Sequence, residues 1–301
     1  MSDKLDLLIV GAGFAGLYML IKARRQGLRA LVLEAAGGIG GTWYHNRYPG
    51  ARVDVQSVEY SFSFDDEMQQ QWQWSERYSP QGELLRYANH VADRFALRDG
   101  IRLNTRVVAA NYDEDAASWH VRSEGGECWS ARFLVMASGP LSLPNQPAFE
   151  GMRDFHGSIF HTARWPEECI DFSGQRVAVI GTGSSGVQSI PLIAQQAREL
   201  TVFQRTAAYA VPAHNGALDA AYAARIKADY PAFRQRNLRM STGFGSELPP
   251  SRQSALDATP EELEAAFEER WRIGGFGLLG AFHDILLDEE ANALAAEFVR
   301  G

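Results

Sequence analysis

Two hexapeptides of one pattern mark where this chain could do chemistry: Gly11-Ala12-Gly13-Phe14-Ala15-Gly16 and Gly181-Thr182-Gly183-Ser184-Ser185-Gly186. G-x-G-x-x-G between a strand and a helix serves a dinucleotide. The first glycine permits the tight turn, the second lets the backbone approach a pyrophosphate, and the third lets helix and strand pack closely. The free amides at the helix start present the positive end of its dipole to the phosphates. The two turns differ in the charged residue downstream of each. Glu34 stands 18 residues after Gly16; a carboxylate there accepts ribose hydroxyls and repels a 2'-phosphate, which favours FAD or NAD. Arg205 stands 19 residues after Gly186 with no acid beside it. A guanidinium there can grip a 2'-phosphate bidentately, which favours NADP(H). Two sites of opposite preference in one chain predict a flavoprotein reduced by NADPH, in which the cofactor carries the redox chemistry and the protein orients it.

These turns need strands before them and helices after them, and the apolar pattern supplies both. Leu5 to Val10 (LDLLIV) reads as a buried parallel strand, Phe14 to Gln26 as a helix with Leu17, Leu20 and Ile21 on one face, and Ala30 to Leu33 as the next strand. Gly27 ends the helix. A glycine- and aromatic-rich stretch runs from Ala35 to Pro80, a composition more often functional than merely connecting. Ser79-Pro80 reads as an N-cap with proline at the first helical position, opening a helix to about Phe95. Short strands are expected near 101–110, 117–122 and 132–137. The second unit repeats the first, with a strand at Arg176–Ile180, a helix at Ser184–Ala197 and a strand at Leu200–Gln204. Beyond Pro212 the pattern is helical. Thr259-Pro260-Glu261-Glu262 is a capping box ahead of Leu263, Phe267 and Trp271, and Phe282 to Val299 reads as a further helix.

The fold class expected is therefore α/β: two Rossmann-like dinucleotide-binding domains, for FAD and NADPH, with a helical insertion. Residues 1–150 are assigned to the FAD-binding domain, 151–211 to a linker and the start of the NADPH-binding domain, and 212–301 to a helical segment. The second unit offers two strands before the helices begin, where a mononucleotide-binding half needs three, so the chain is read as incomplete at its C-terminal end.

Composition excludes other classes. With 46% hydrophobic and 22% charged residues among 301, the chain is neither disordered nor collagen-like. A net charge of -8 without a basic block leaves no electrostatic footprint for nucleic acid. The uncharged run Leu7–Ile21 is shorter than the roughly 18 residues of a spanning helix and is broken by three glycines, so no membrane partner is expected. Cys128 and Cys169, 41 positions apart, form neither a zinc site nor the C-x-x-C pair of a disulfide reductase, and fit a reducing cytoplasm. Among flavoproteins, a reaction with oxygen becomes the better expectation.

A third motif is more specific. Phe155-His156-Gly157-Ser158-Ile159-Phe160-His161-Thr162-Ala163-Arg164-Trp165-Pro166 fits F-x-G-x-x-x-H-x-x-x-W-P just before the second glycine turn. It resembles the fingerprint of type I Baeyer-Villiger monooxygenases, within the flavin-containing monooxygenases. Gly40-Gly41-Thr42-Trp43-Tyr44, Asn46 to Asp54 and Val202-Phe203-Gln204-Arg205-Thr206 are similar to the same family. The likeness extends from Leu5 to the C-terminal end, with most in common with members acting on phenylacetone, steroids and large cyclic ketones.

The resemblance implies a mechanism. NADPH reduces the flavin, which takes up dioxygen as a C4a-peroxyflavin, and this attacks a ketone to give an ester or lactone while NADP+ stays bound. It implies that Gly11, Gly13, Ala15, Gly16 and Glu34 hold the FAD adenosine and pyrophosphate. Gly41, Thr42, Trp43, Asp54 and Tyr60 would then lie along the flavin end, with Val107 by the adenine. Arg52 and Asp54 would sit near the nicotinamide, with Asp54 in the catalytic machinery, holding an arginine in place. Gly181, Thr182, Gly183, Ser184, Ser185, Gly186, Gln188, Arg205 and Thr206 would bind NADPH. His161 and Trp165 are expected to make linker hydrogen bonds and packing. The family's catalytic arginine has no match in 1–301, so the chain alone is expected not to oxygenate ketones. Two alternatives stay open: a flavin monooxygenase oxidising nitrogen or sulfur, and a non-oxygenating FAD/NADP-binding protein.

Overall fold

The computed structural model describes residues 5–206, 209–245 and 247–301. The first glycine turn lies where expected, between β1 (Leu5–Val10) and α1 (Phe14–Arg25), with β2 (Ala30–Leu33) after them. β1 pairs in parallel with β2, so this is a true strand-helix-strand crossover. Leu7, Leu8 and Ile9 are sealed on both faces, and Leu17, Leu20 and Ile21 of α1 are buried, as the sequence predicted. After α2 (Thr42–His45) and α3 (Asp66–Gln71) comes α4 (Gln81–Arg94), which buries Leu84, Tyr87, Ala88, Val91 and Ala92.

Four more strands complete the first sheet: β3 (Ile101–Arg102), β4 (Val107–Asp113), β5 (Ser118–Ser123) and β6 (Cys128–Met136). The order is β3-β2-β1-β6-β5-β4, with β3, β2, β1 and β6 parallel and β5 and β4 antiparallel. The second sheet is the parallel pair β7 (Arg176–Ile180) and β8 (Glu199–Phe203), joined through α5 (Ser184–Ala194). The remaining helices are α6 (Ala220–Ala228), α7 (Tyr230–Leu238), α8 (Pro260–Ile273) and α9 (Glu289–Arg300). Phe267 of α8 anchors their core, its ring 5.5 Å from that of Phe282 and 5.2 Å from that of Phe298. The capping box is present in full: Thr259 accepts the Glu262 N–H and Glu262 accepts the Thr259 N–H. Among the described residues no helix is long and apolar enough to cross a membrane.

Several expectations need correction. The strand expected at 101–110 is two, separated where Asn104 takes a positive φ of 53°. Ser79 does not cap α4; its hydroxyl pairs with that of Ser57 at 2.7 Å, Pro80 bridges Arg52, and the helix opens at Gln81. Residues 282–288 are not helical although four of them are apolar. Asp284 instead accepts the buried Ala255 N–H at 2.9 Å and the Ser254 hydroxyl, and Asp288 caps the helix that starts one residue later. The helix after the second glycine turn stops at Ala194, three residues short of expectation.

The chain divides into two compact units that are not contiguous in sequence: 1–51 with 81–171, and 52–80 with 172–301. This departs from the division at 150 and 211. The aromatic-rich stretch after Ala51 joins the second unit through long-range bonds that local patterns do not announce. Arg77 N–H donates to Gly216 C=O at 3.0 Å, and Leu218 N–H to Ser75 C=O at 3.0 Å.

Candidate functional site

In the first unit, Gly11 has a φ of 106°, and a Cβ on Gly16 would lie 1.9 Å from the Gly11 carbonyl oxygen. Only two glycines allow α1 to start this close to β1. Gly13 caps α1 with no side-chain bond, and no acid stands in the first turn. The Gly40-Gly41 segment lies over the turn: Gly40 N–H donates to Ala12 C=O at 3.0 Å, and a Cβ on Gly41 would come within 2.9 Å of the Gly13 Cα. Glu34, only 7% exposed, accepts the Ala12 N–H at 2.6 Å and the Ala36 N–H at 2.8 Å. Its carboxylate is thereby fixed at the end of β2 against the turn, with lone pairs left on both oxygens. Thr42 and buried Trp43 open α2 directly after Gly41, and the Trp43 carbonyl is held by the Gln81 side chain. Val107 lies two residues past Thr105, whose N–H donates to the Glu34 carbonyl at 2.8 Å. Gly11, Gly13, Ala15, Gly16, Glu34, Gly41, Thr42, Trp43 and Val107 thus fall in one unit.

The fingerprint segment also belongs to this unit. His161 accepts the Ala163 N–H on Nδ1 at 3.1 Å and pairs Nε2 with the Asn145 carbonyl at 3.3 Å. Arg164 lies 3.5 Å from Nδ1 of His45, and burial, with that guanidinium beside it, pushes the His45 imidazole below its ordinary pKa. The segment makes hydrogen bonds and packing, with the Trp165 ring 5.5 Å from that of Phe160 and tilted 37° to it.

The second turn is built on the same plan. Gly181 has a φ of 100°, a Cβ on Gly186 would lie 2.4 Å from the Gly181 oxygen, and one on Gly183 would meet nothing within 4 Å. Gly183 caps α5 with no side-chain bond and no acid in the first turn. This contrasts with α3, α6, α7, α8 and α9, each capped by an Asp or Thr oxygen. The helices after the glycine turns keep first-turn N–H groups, on Ser184 and Ser185 here, for an outside acceptor. Gln204 holds the Thr182 hydroxyl at 2.7 Å, and Arg205 and Thr206 come after β8, fully on the surface. The Arg205 guanidinium has no hydrogen-bond or ion-pair partner among the described residues.

Arg52, Asp54 and Tyr60 cluster with this second unit. Gln188 of α5 donates to Asp54 Oδ1 at 3.0 Å. Withdrawal from water pushes the Asp54 carboxyl above its ordinary pKa, and the Gln188 bond offsets part of that. The Arg52 guanidinium pairs with Glu76 at 3.0 Å, and Glu76 is held in turn by the Asn215 side chain. Glu76 and Asn215 were not legible as site residues. They stand 24 and 163 positions from Arg52, with no spacing rule to join them.

Tyr60 lies in a loop clamped by Arg234, whose guanidinium donates to the carbonyls of Val58, Glu59 and Ser61 at 3.1–3.2 Å. Glu59 accepts the Gly245 N–H at 2.7 Å. Burial pushes the Glu59 carboxyl above its ordinary range, against the Gly245 N–H, Arg234 and Asn237, which hold it down, while Glu247 adds to the rise. A raised carboxyl pKa means the folded state binds the proton more tightly than the unfolded one. Stability therefore falls as pH rises from the ordinary glutamate value through the raised one. Glu59→Gln is expected to melt above the parent at neutral pH, with the gap closing as the pH drops below 4.5. Thermal melts across that range check it; a Glu59→Gln protein less stable at neutral pH than at acid pH, relative to the parent, contradicts it.

Two glycine turns of this geometry, each feeding an uncapped helix, define a protein with two dinucleotide-binding folds. The chain belongs to the pyridine nucleotide-disulphide oxidoreductase family, which it matches over residues 8–232. More particularly, it is a homologue of the Baeyer-Villiger monooxygenases, as the fingerprint implied. It is 43% identical over 299 residues to a Baeyer-Villiger monooxygenase of Pseudooceanicola batsensis, covering 98% of this chain and 54% of that one. It is 42% identical over 300 residues to a phenazine N-monooxygenase of Lysobacter antibioticus, covering 98% and 54%. Among solved structures, an oxidized steroid monooxygenase bound to NADP superposes with a TM-score of 0.92 at 52% identity, covering 98% of this chain and 56% of that chain. A closed cyclohexanone monooxygenase gives 0.93 at 40% identity, covering 100% and 56%. The chain spans about half the length of the curated relatives it matches. Both cysteines are free and exposed.

Proposed function

We propose that this chain forms the dinucleotide-binding part of an NADPH-dependent flavoprotein monooxygenase that inserts one oxygen atom of dioxygen into a ketone. The product is an ester or lactone. The observation that carries this is the pair of glycine turns with opposite charge beside them, Glu34 fixed at the first and Arg205, without a partner among the described residues, at the second. The cradles fit their cofactors: the close approaches at Gly16, Gly41 and Gly186 leave no room for a Cβ, and the helix starts are uncapped.

In the first unit, Gly11, Gly13, Ala15 and Gly16 would hold the FAD pyrophosphate, Glu34 its ribose hydroxyls, and Gly41, Thr42, Trp43 and Val107 its remaining length. Tyr60 is assigned to the flavin end. In the second, Gly181 to Gly186 with Thr206 would line the NADPH site, and Arg205 would take the 2'-phosphate. Arg52, held by Glu76, and Asp54 are assigned to the nicotinamide end. Bound flavin would supply hydride acceptance from NADPH and activation of dioxygen. The chain's residues bind, orient and set charge around it: Glu34 excludes a 2'-phosphate, and Asp54 offers a negative charge that would hold the family's catalytic arginine. A cytoplasmic location is part of this reading, supported by the two free cysteines.

The phenazine N-monooxygenase relative favours a second reading, oxidation of a ring nitrogen. Product analysis separates the two. The gene product that contains this chain, given NADPH, oxygen and either cyclohexanone or phenazine, is expected to convert the ketone to its lactone. N-oxide without lactone selects the second reading, and neither product overturns both. The 301-residue chain assayed alone is expected to form no lactone.

A further inference from the structure

The carboxamide of Gln188 faces the main chain of Arg52 as one strand residue faces another. Its Oε1 accepts the Arg52 N–H at 3.3 Å, and its Nε2 donates to the Arg52 carbonyl at 3.3 Å. This is the reciprocal pair that opposed residues exchange in an antiparallel ladder, made here by a side chain. The same Nε2 donates to Asp54 Oδ1 at 3.0 Å. On its other flank the segment is tied by Val53 N–H to the Ser79 carbonyl at 3.1 Å, and by the Arg52–Glu76 ion pair. Those bonds fix Arg52 and Val53. Gln188 is the group seen to orient the Asp54 carboxylate.

We propose that Gln188 is a positioning residue: it holds the Asp54 carboxylate and the Arg52 main chain in place, and is not itself a ligand of the dinucleotide. The proposal rests on the functional reading above and refines it, since the resemblance assigned Gln188 to NADPH. Only a carboxamide meets the geometry. An apolar side chain makes none of the three bonds. A glutamate keeps an acceptor for the Arg52 N–H but loses both donated bonds, and sets a second carboxylate against that of Asp54. Because Gln188 lies one turn beyond Gly183 on α5, the helix that would receive the phosphates carries the residue that sets Asp54.

The test compares Gln188→Leu and Gln188→Glu with the parent, alone and combined with Asp54→Ala, in the gene product that contains the chain. Hydrogen exchange of a peptide spanning residues 48–58, which contains the Arg52 amide, needs no ligand. Gln188→Leu, which leaves the Arg52 N–H without this acceptor, is expected to speed exchange at the Arg52 amide while leaving β7 unchanged. Unchanged exchange there overturns the proposal whatever the nucleotide does. NADP+ affinity by calorimetry is expected to stay close to the parent's in Gln188→Leu, while kcat falls by roughly tenfold or more at a similar KM, as misplacement of a catalytic group does. With Asp54→Ala already present, Gln188→Leu is expected to add little further loss. A large fall in NADP+ affinity, equal in both backgrounds, makes Gln188 a direct ligand and overturns the proposal, as does a Gln188→Glu protein that behaves like the parent. A parent that binds no NADP+ fails the functional reading instead, and the exchange arm then decides this inference alone.

Discussion

Gly16→Ala is expected to destabilise the first unit by about 3 kcal/mol or more and to abolish flavin retention. Overpacking a close-packed core costs about 1–3 kcal/mol where side chains can yield. Here the obstacle is backbone, the Gly11 carbonyl oxygen 1.9 Å from the new methyl. Relief requires α1 to move off β1, and that movement opens the turn itself. Gly13→Ala separates the two losses. Its Cβ would find only the Gly41 backbone, with the Cα at 3.6 Å, an ordinary contact, and its φ of -77° suits alanine. That variant is expected to lose about 1 kcal/mol or less, the scale of a weaker N-cap, yet to retain much less flavin, because the methyl stands where the pyrophosphate would approach. Urea unfolding and the visible absorbance of the purified protein check both. A Gly16→Ala protein that unfolds with the parent would show that the close approach is not needed.

Arg205→Ala is expected to weaken NADPH binding by roughly 10- to 150-fold while leaving NADH nearly unchanged. The range comes from about 1.5–3 kcal/mol for hydrogen bonds to a charged group. The guanidinium has no protein partner among the described residues, so its loss leaves no group orphaned and little stability is at stake. Titration calorimetry with the two nucleotides gives the ratio directly. Equal weakening of both would remove the 2'-phosphate assignment and, with it, the distinction between the two turns.

The legible part of the fold was local. β1, α1, β2 and β7 lie within a residue or so of expectation because apolar period and glycine act over a few neighbours. The capping box at Thr259 was readable for the same reason. The glycine turns were legible because backbone conformation at Gly11 and Gly181 is written in one residue each. The features that escaped depend on partners far away in sequence. Phe282, Ile285, Leu286 and Leu287 look like a helical face, but the bond from Ala255, 29 positions earlier, holds Asp284 in a turn. The Arg52–Gln188 pairing spans 136 positions, and the Arg52–Glu76–Asn215 chain crosses between segments that no periodicity connects.

The interrupted sequence of the two units has a bearing on how the protein is made. Residues 52–80 emerge from the ribosome well before 172–301, the segment they pack with. At about 5–20 residues per second, the 91 residues from 81 to 171 impose a wait of roughly 5–20 seconds. During that interval Trp72, Trp74 and Tyr78 have no completed core to enter, and the first unit must close around an excursion that is still unfolded. Slow translation through 81–171 would lengthen the exposure, and chaperone contact is expected to concentrate on this aromatic stretch.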